Sequence, residues 1–344
     1  MSKYFKEKDE KNMRIVDECC TTLPLACTEY FNDVALGRET STMANYARQL
    51  NVFFNWVHEE LLTGKDPQHY DFSDLSRITS DDVTTFMYEL RHKGDSDETL
   101  LAYLRAISSF YKHFNKKGKL RTNPVDGVTR PKHKKAPKVY LDAVDLPRFE
   151  STVKNGQGLS ERVQKYRDTI NSTNRDNAIV AVLYDTGIRV SELVGIDLTD
   201  IDFSRCRISV RRKGGDITLT YFSNETADFL NAYLDDRAKF VDKKEQALFV
   251  SFVGKNKGHR LSVRSIEIMI KKYAVAAGVS NADKMTPHKL RHTCGMALLK
   301  ATGNIALVQA QLAHKSITST TVYAQADDSD LENIRNLRRN CNES

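Results

Sequence analysis

The sequence has little that would place the protein in a membrane or outside the cell. Its 344 residues contain no apolar run of the roughly 18 residues that cross a bilayer, and the first 13 residues are charged throughout, unlike an export signal. The six cysteines form no CxxC pair and lack the spacing of a disulfide framework. We therefore expect a cytoplasmic protein with reduced thiols and no membrane association.

The motifs of a metal enzyme are also lacking. His288 and His292 lie four residues apart, as two metal ligands on one helix face would. No HExxH motif and no obvious third ligand accompany them. We expect neither a metal nor a cofactor.

Length and charge indicate a multidomain protein that could bind a polyanion. A chain of 344 residues exceeds one ordinary core and predicts about two domains. Hydrophobic residues make up 40% and charged residues 28%, which is typical of a globular protein. The net charge of +7 permits binding to nucleic acid but does not require it.

The first half of the chain has the periodicity of amphipathic helices. One apolar stripe runs from Tyr46 to Val57, with Thr40 and Ser41 as candidate caps, and a second runs from Leu100 to Tyr111. Two prolines and a run of basic residues then predict an extended linker, which either is a solvated tether or lies along DNA. The predicted parts are a helical domain at 20–128, the linker at 129–140, a second domain at 141–330 and a tail at 331–344.

The second domain combines helices with one β-hairpin. Apolar and polar residues alternate on both sides of Gly214 and Gly215, and glycines supply the positive φ angles of a tight turn. Helical spacing returns from Ser262 onward. The predicted fold is therefore mainly α with a small antiparallel sheet.

A helix that begins with TPHKLRHT carries a first candidate site. Thr286 suits the cap and Pro287 the first helical position, so His288 and Arg291 share a face near a helix N-terminus, where anions bind. Alone, such a pair is more often an ordinary surface feature. Further along the chain, the motif LAH contains His314 and the motif TTVY contains Tyr323. The order is therefore HxxR, then histidine, then tyrosine.

With these motifs the chain resembles the tyrosine recombinase family, the phage-integrase and Xer-like enzymes. The resemblance extends to Arg189 and Glu192 in DTGIRVSELVGI and to Lys213 before the glycine turn. Departures are Ala313 in place of a glycine, Arg212 beside Lys213, which could shift the lysine assignment by one position, and a long polar segment at 154–174. The implied catalytic set is Arg189, Lys213, His288, Arg291, His314 and Tyr323.

The resemblance also implies a role for each residue. Tyr323 attacks the DNA phosphate and forms a 3′-phosphotyrosine, so that rejoining needs neither metal nor ATP. The arginines and His314 bind the phosphate, and Glu192 either orients Arg189 or is an ordinary surface acid. Lys213 protonates the leaving 5′ oxygen, and His288 helps to move the tyrosine proton.

The implied partner is double-stranded DNA with a specific crossover site, held in a two-domain, C-shaped clamp. The family forms a dimer on each site and a tetramer in the synapse, and the tail either docks on a neighbouring subunit or packs on its own domain. The resemblance does not indicate whether an accessory protein is needed. Candidate DNA contacts, which could equally be solvated charges, are Arg48, Arg105, Lys112, Lys132, Lys134, Lys135, Lys255, Lys257, Arg260 and Arg264.

Several biological roles fit this chemistry. The helical domain starts almost at the N-terminus, so we expect no separate arm-binding domain, and the 154–174 segment favours integration or excision of a mobile element. Xer-type resolution of chromosome or plasmid dimers is the alternative. A catalytically silent DNA-binding regulator and a type IB topoisomerase are the competing classes.

Overall fold

The computed structural model describes residues 3–131, 140–212, 215–242 and 244–312. Contacts divide the chain into two compact units, with the boundary between Ala136 and Pro137. Within the described residues, no helix is long and apolar enough to span a membrane.

The N-terminal unit consists of helices around an aromatic core. Phe110 of the last helix makes edge-on ring contacts with Tyr30 and Phe54, and the three rings are fully buried. The two predicted amphipathic helices are therefore confirmed as core helices. The α-helices are α1 Lys3–Cys20, α2 Leu25–Val34, α3 Thr40–Glu60, α4 Phe72–Arg77, α5 Ser80–His92 and α6 Asp97–Lys116.

Helix α1 belongs to this unit, although the predicted domain begins only at residue 20. It packs along α3 and buries Val16 in the core. Thr40 is also not the cap of α3, because the N-cap is Glu39 and Thr40 is the first helical residue. The Thr40 hydroxyl instead donates to Asp9 and accepts from Asn12, so it fastens α1 to the start of α3.

The C-terminal unit surrounds the buried helix α9 with other helices and one small sheet. Helix α9 packs against α7, α11 and α13. The helices are α7 Asp145–Asn155, α8 Glu161–Thr169, α9 Thr173–Thr186, α10 Val190–Val194, α11 Asn224–Phe240, α12 Val263–Ala276, α13 Pro287–Thr302 and α14 Ile305–Leu312.

The sheet contains the predicted hairpin and one short strand that the sequence did not reveal. Strands β1 Ile201–Asp202, β2 Arg207–Arg211 and β3 Ile217–Tyr221 pair antiparallel in that order. Arg211 pairs with Ile217 next to the turn, where Gly215 has a φ of 92°. A mainly helical fold with a small antiparallel sheet is thus confirmed.

The polar segment at 154–174 forms a helix that packs on the C-terminal unit. Helix α7 ends at Gly156 with a φ of 75°, and a Cβ there would lie 1.8 Å from Gln164 of α8. The buried Arg167 of α8 donates to the carbonyls of Val153 and Lys154, and its guanidinium lies 5.7 Å from the ring centre of Tyr273. The polar segment therefore contains a helix that is anchored to the rest of the unit through Arg167.

The aromatic core makes the stability of the N-terminal unit measurable by itself. We expect Phe110→Ala to lower the free energy of unfolding by about 3–5 kcal/mol, because it removes a fully buried ring and leaves a cavity. Urea unfolding followed by the fluorescence of Trp56, the single tryptophan, reports on this unit. Leu36→Ala is the matched control, because Leu36 is fully exposed. A loss of less than about 1 kcal/mol for Phe110→Ala, close to what substitutions at exposed sites cause, would contradict this core.

Candidate active site

Arg189 lies at the point where a tight turn joins α9 to α10. Gly187 ends α9 with a φ of 62°, and a Cβ there would lie 2.4 Å from Leu312 and 3.1 Å from the sulfur of Cys294. Only glycine therefore lets α13 and α14 approach this turn so closely. Arg189 follows as the N-cap of α10, with its side chain 40% exposed.

The carboxylate of Glu192 holds Arg189 at two places. The backbone N–H of Arg189 donates to Oε2 at 2.8 Å, and its Nη1 donates to Oε1 at 2.9 Å. Glu192 is 5% exposed and Arg189 is 40% exposed, so the acid is inside and the guanidinium reaches the surface. This geometry suits the predicted orienting role, which stays a prediction.

Arg212 is a third member of this cluster that the sequence analysis did not assign. Its Nη1 donates to Oε2 of Glu192 at 2.8 Å, and both side chains are 5% exposed. A buried, paired guanidinium does not release a proton, so Arg212 does not take over the acid role considered for Lys213. The sequence did contain a signal for this burial. Every second residue of the strand faces the core, and Arg212 follows the buried Ile208 and Val210 at that spacing.

Helix α13 begins as predicted. Thr286 is the N-cap and Pro287 the first helical residue, although the Thr286 side chain makes no capping hydrogen bond. Arg291 is 1% exposed, and its guanidinium donates to the carbonyls of Gly187 and Leu312. The guanidinium of Arg291 thus ties α13 to the turn before Arg189 and to α14, and its predicted contact with the phosphate stays a prediction.

His288 is exposed at the N-terminal end of α13, and its pKa is lowered. Partial desolvation contributes most, followed by the positive charges of Arg291, Lys289 and Arg189. His288 is thus neutral at neutral pH, and its ring lies edge-on to His292 at 4.8 Å. No cluster of three potential metal ligands occurs in the described part of the chain.

Four of the predicted site residues therefore come together: Arg189, Glu192, His288 and Arg291. Each is connected to the next by a hydrogen bond, a shared turn or an electrostatic effect. The other predicted catalytic residues lie outside the described residues. These are Lys213, His314 and Tyr323, and the linker lysines Lys132, Lys134 and Lys135 and the tail at 331–344 also lie outside them.

The N-terminal unit has a basic groove on α6. Arg105 and Lys112 lie two helical turns apart, are exposed, and line a cavity of about 320 Å³ together with Arg130. Tyr46 and Ser109 line the same groove. Arg48 is exposed on α3 but is not among the groove residues, and its Nη1 donates to Asn45.

The second predicted basic group divides into different environments. Lys255 and Lys257 are exposed, and Arg264 forms a 3.5 Å ion pair with Glu267. Arg260 differs, because its guanidinium donates to the carbonyls of Val194 and Ile196 and pairs with Asp197. Arg260 thus fastens the segment after α10, and the DNA contacts of all four residues stay predictions.

Comparison with known proteins identifies the family. Residues 160–330 match the phage integrase family, and residues 27–118 match the N-terminal SAM-like domain of phage integrases. The tyrosine recombinase XerC of Thermodesulfovibrio yellowstonii is 30% identical over 307 residues, covering 87% of this chain and 91% of that protein. The XerC of Shigella flexneri serotype 5b is 27% identical, covering 91% and 96%.

The chain is a tyrosine recombinase of the phage integrase family. The family resemblance and the expected enzymatic activity, site-specific recombination, are thereby confirmed.

Solved structures agree with this recombinase at the level of the fold. The Tn1549 transposon integrase in complex with circular intermediate DNA has a TM-score of 0.63 at 20% identity, covering 90% of this chain and 98% of that chain. The XerH recombinase bound to difH substrate has a TM-score of 0.62 at 16% identity, covering 93% of each chain.

The environment of His288 is testable without DNA. We expect NMR titration to give a pKa of His288 below its ordinary value and Lys289→Gln to raise it, because this removes a positive charge that favours the neutral ring. Because the pKa of His288 is lower in the folded protein than in the unfolded chain, the unfolded chain binds the proton more readily. The contribution of His288 to stability is therefore present at high pH and is lost as the pH falls. Lys300→Gln, at the other end of α13, is the control. An unchanged titration in Lys289→Gln would refute the electrostatic cause.

Proposed function

We propose that this recombinase integrates or excises a mobile element by cleaving and rejoining double-stranded DNA through a 3′-phosphotyrosine at Tyr323. The observation that carries the proposal is the cluster of Arg189, Glu192, His288 and Arg291 in the C-terminal unit. It combines an exposed guanidinium, a buried carboxylate that fixes it, and a neutral imidazole. Such a set suits the binding and turnover of a phosphodiester.

In the proposed reaction, Tyr323 supplies the nucleophile. Its phenolic oxygen forms a bond to phosphorus, the bond from phosphorus to the 5′ oxygen breaks, and the phosphate stays on the 3′ end as a tyrosyl ester. Arg189 donates to the nonbridging oxygens, where charge develops, and His314 is assigned as a further donor. Removal of a comparable donor costs about 10²–10³ in rate.

Two proton transfers accompany this exchange. His288 is neutral, so its ring can accept the proton that Tyr323 loses, directly or through water. Lys213 is assigned as the acid that protonates the leaving 5′ oxygen. Arg291 is assigned as a second arginine donor to the phosphate, and its bonds to Gly187 and Leu312 also fix the turn that carries Arg189. Rejoining reverses the exchange with a different 5′ hydroxyl, so neither metal nor ATP is consumed.

The partner in this proposal is a DNA crossover site in the cytoplasm. The residues at 20–128, with α1, are assigned to DNA binding, and those at 141–330 to catalysis. The Tn1549 integrase and XerH structures contain DNA, and the groove of Arg105 and Lys112 offers positive charge for phosphates. A dimer on each site and a tetramer in the synapse complete the proposed assembly.

The choice of a mobile element is supported only by the long polar segment at 154–174, which we interpret from the sequence as a departure from compact family members and which contains α8. Resolution of chromosome or plasmid dimers is the second candidate, because the XerC relatives cover nearly the whole chain. A silent regulator is disfavoured by the intact cluster of Arg189, Glu192, His288 and Arg291. DNA binding alone does not require a neutral histidine beside two arginines and a lysine.

Trapping of the covalent adduct tests the function. We expect the wild-type protein, incubated with fragmented host genomic DNA, to become covalently attached to one sequence class, because Tyr323 is joined to the 3′ phosphate when the strand is cut. Sequencing of the attached DNA identifies the site: ends of an inserted element support the proposal, and a chromosomal dimer-resolution site supports the second candidate. The adduct is expected to form in EDTA, since no step uses a metal.

Single substitutions give the control for this experiment. Tyr323→Phe abolishes the adduct and retains DNA binding, whereas Tyr166→Phe, at an exposed tyrosine of α8, retains both. An adduct formed by Tyr323→Phe would refute the nucleophile. DNA binding without any adduct in the wild-type protein would favour the silent regulator.

The basic groove is tested by the salt dependence of DNA binding. We expect the double variant Arg105→Gln, Lys112→Gln to flatten the slope of log K against log salt by about 0.9 per lost phosphate contact, up to about 1.8 in total. Lys93→Gln, an exposed lysine at the end of α5, is the control. Neutralising Lys132, Lys134 and Lys135 tests the linker in the same assay. An unchanged slope would assign the substituted residues to solvated surface.

A further inference from the structure

Strand β2 places a charged side chain where an apolar one is the rule. Ile208 and Val210 are buried, and Arg212 follows them two residues later on the same side of the strand. It is 6% exposed. Burial of a guanidinium costs free energy unless each of its donors finds a partner, so a specific set of contacts must compensate for it.

The contacts of Arg212 connect both strands of the hairpin to one carboxylate. Its Nη1 donates to Glu192 at 2.8 Å and its Nε donates to Thr218 of β3 at 2.7 Å. Its backbone N–H donates to the carbonyl of Asp216, across the turn. Arg212 is therefore fixed from its backbone to the end of its side chain.

The same carboxylate oxygen serves the other half of the cluster. Oε2 of Glu192 accepts from Nη1 of Arg212 and from the backbone N–H of Arg189, both at 2.8 Å. The beginning of α10 and the end of β2 thus meet at one atom. Lys213, which lies outside the described residues, is the next residue in the sequence after Arg212.

We propose that Arg212 is a positioning residue that couples the hairpin carrying Lys213 to Arg189 through Glu192. It keeps the general acid and the phosphate-binding arginine in one geometry relative to the scissile phosphate. This inference rests on the proposed function, because it takes the acid role of Lys213 from it. The role of Arg212 is indirect, since its side chain is 5% exposed and its Nη1 and Nε donate to Glu192 and Thr218.

The geometry requires arginine rather than another cation. Glu192 and Thr218 bind different nitrogens of one rigid, planar group. A lysine ammonium is a single point of charge and does not reproduce the two fixed directions. Arg212→Lys therefore keeps the charge and disturbs the coupling, and Arg212→Met removes the charge at similar length.

The experiment compares two leaving groups. The probe is a nicked duplex carrying the sequence recovered by adduct trapping, made once with the normal 5′ oxygen and once with sulfur in its place. A thiolate leaves without an acid, so loss of the acid slows only the oxygen substrate. We expect Arg212→Met to raise the sulfur-to-oxygen ratio of adduct formation rates by about tenfold or more. This is less than the roughly 10²–10⁴-fold that general acid catalysis contributes, because Arg212 acts on the acid indirectly. Lys213→Ala is expected to raise the ratio at least as much.

Controls separate positioning from folding. Arg207→Met removes another arginine of β2, one that pairs with Asp202 away from Glu192, and is expected to leave the ratio unchanged. If Arg212→Met fails to fold, as shown by thermal unfolding, Arg212→Lys takes its place with the same expected direction. An equal slowing on both substrates, or no slowing on either, would overturn the inference. A wild-type protein without any adduct would refute the proposed function itself, and the inference with it.

Discussion

The carboxylate of Glu192 is the constraint on which the described half of the active site depends. Two oxygens, 5% exposed, accept hydrogen bonds from the backbone and side chain of Arg189 and from the side chain of Arg212. An unpaired buried carboxylate costs free energy, so arrangements that break these hydrogen bonds are strongly disfavoured and one geometry dominates. An exposed ion pair would leave Arg189 free to adopt many rotamers.

A second constraint acts from the opposite side of Arg189. Gly187 leaves room for Leu312 and Cys294, and the buried Arg291 binds the carbonyls of both Gly187 and Leu312. The turn before Arg189 is therefore held by α13 and α14 while the residues after it are held by Glu192. The exposed guanidinium extends from a backbone that is fixed on both sides, which is the preorganisation that electrostatic catalysis requires.

The sequence predicted the features that depend on local periodicity and on backbone restriction. Helices α3 and α6, the hairpin turn at Gly215 and the start of α13 at Pro287 follow from such patterns. Helix α1 was missed because charged residues occupy most of its positions, and only its packing on α3 shows that it belongs to the core. The order of motifs also located the site, because each motif is short and chemically distinctive.

What the sequence left open was the environment of each charge. Arg260 and Arg264 are similar in sequence, yet one binds buried carbonyls and the other forms an exposed ion pair. The sequence likewise does not distinguish the environments of Arg291 and Arg189. Only tertiary packing shows that Arg291 is buried and that Arg189 is partly exposed. Such assignments depend on contacts between residues far apart in the sequence, with separations of 66 from Arg260 to Val194 and 104 from Arg291 to Gly187. No local pattern carries that information.

Charge balance connects these environments to the chemistry. Arg189, Arg212 and Arg291 surround one carboxylate and a histidine whose pKa is lowered, so the cluster keeps more positive than negative charge at neutral pH. A phosphodiester brings one negative charge, and the pentacoordinate transition state concentrates more negative charge on the nonbridging oxygens. An excess of fixed positive charge therefore stabilises the transition state more than the bound substrate, which is what acceleration requires. Desolvation contributes most to keeping His288 neutral, and the positive charges of Arg291, Lys289 and Arg189 add to it, so the same arginines serve phosphate binding and favour proton acceptance.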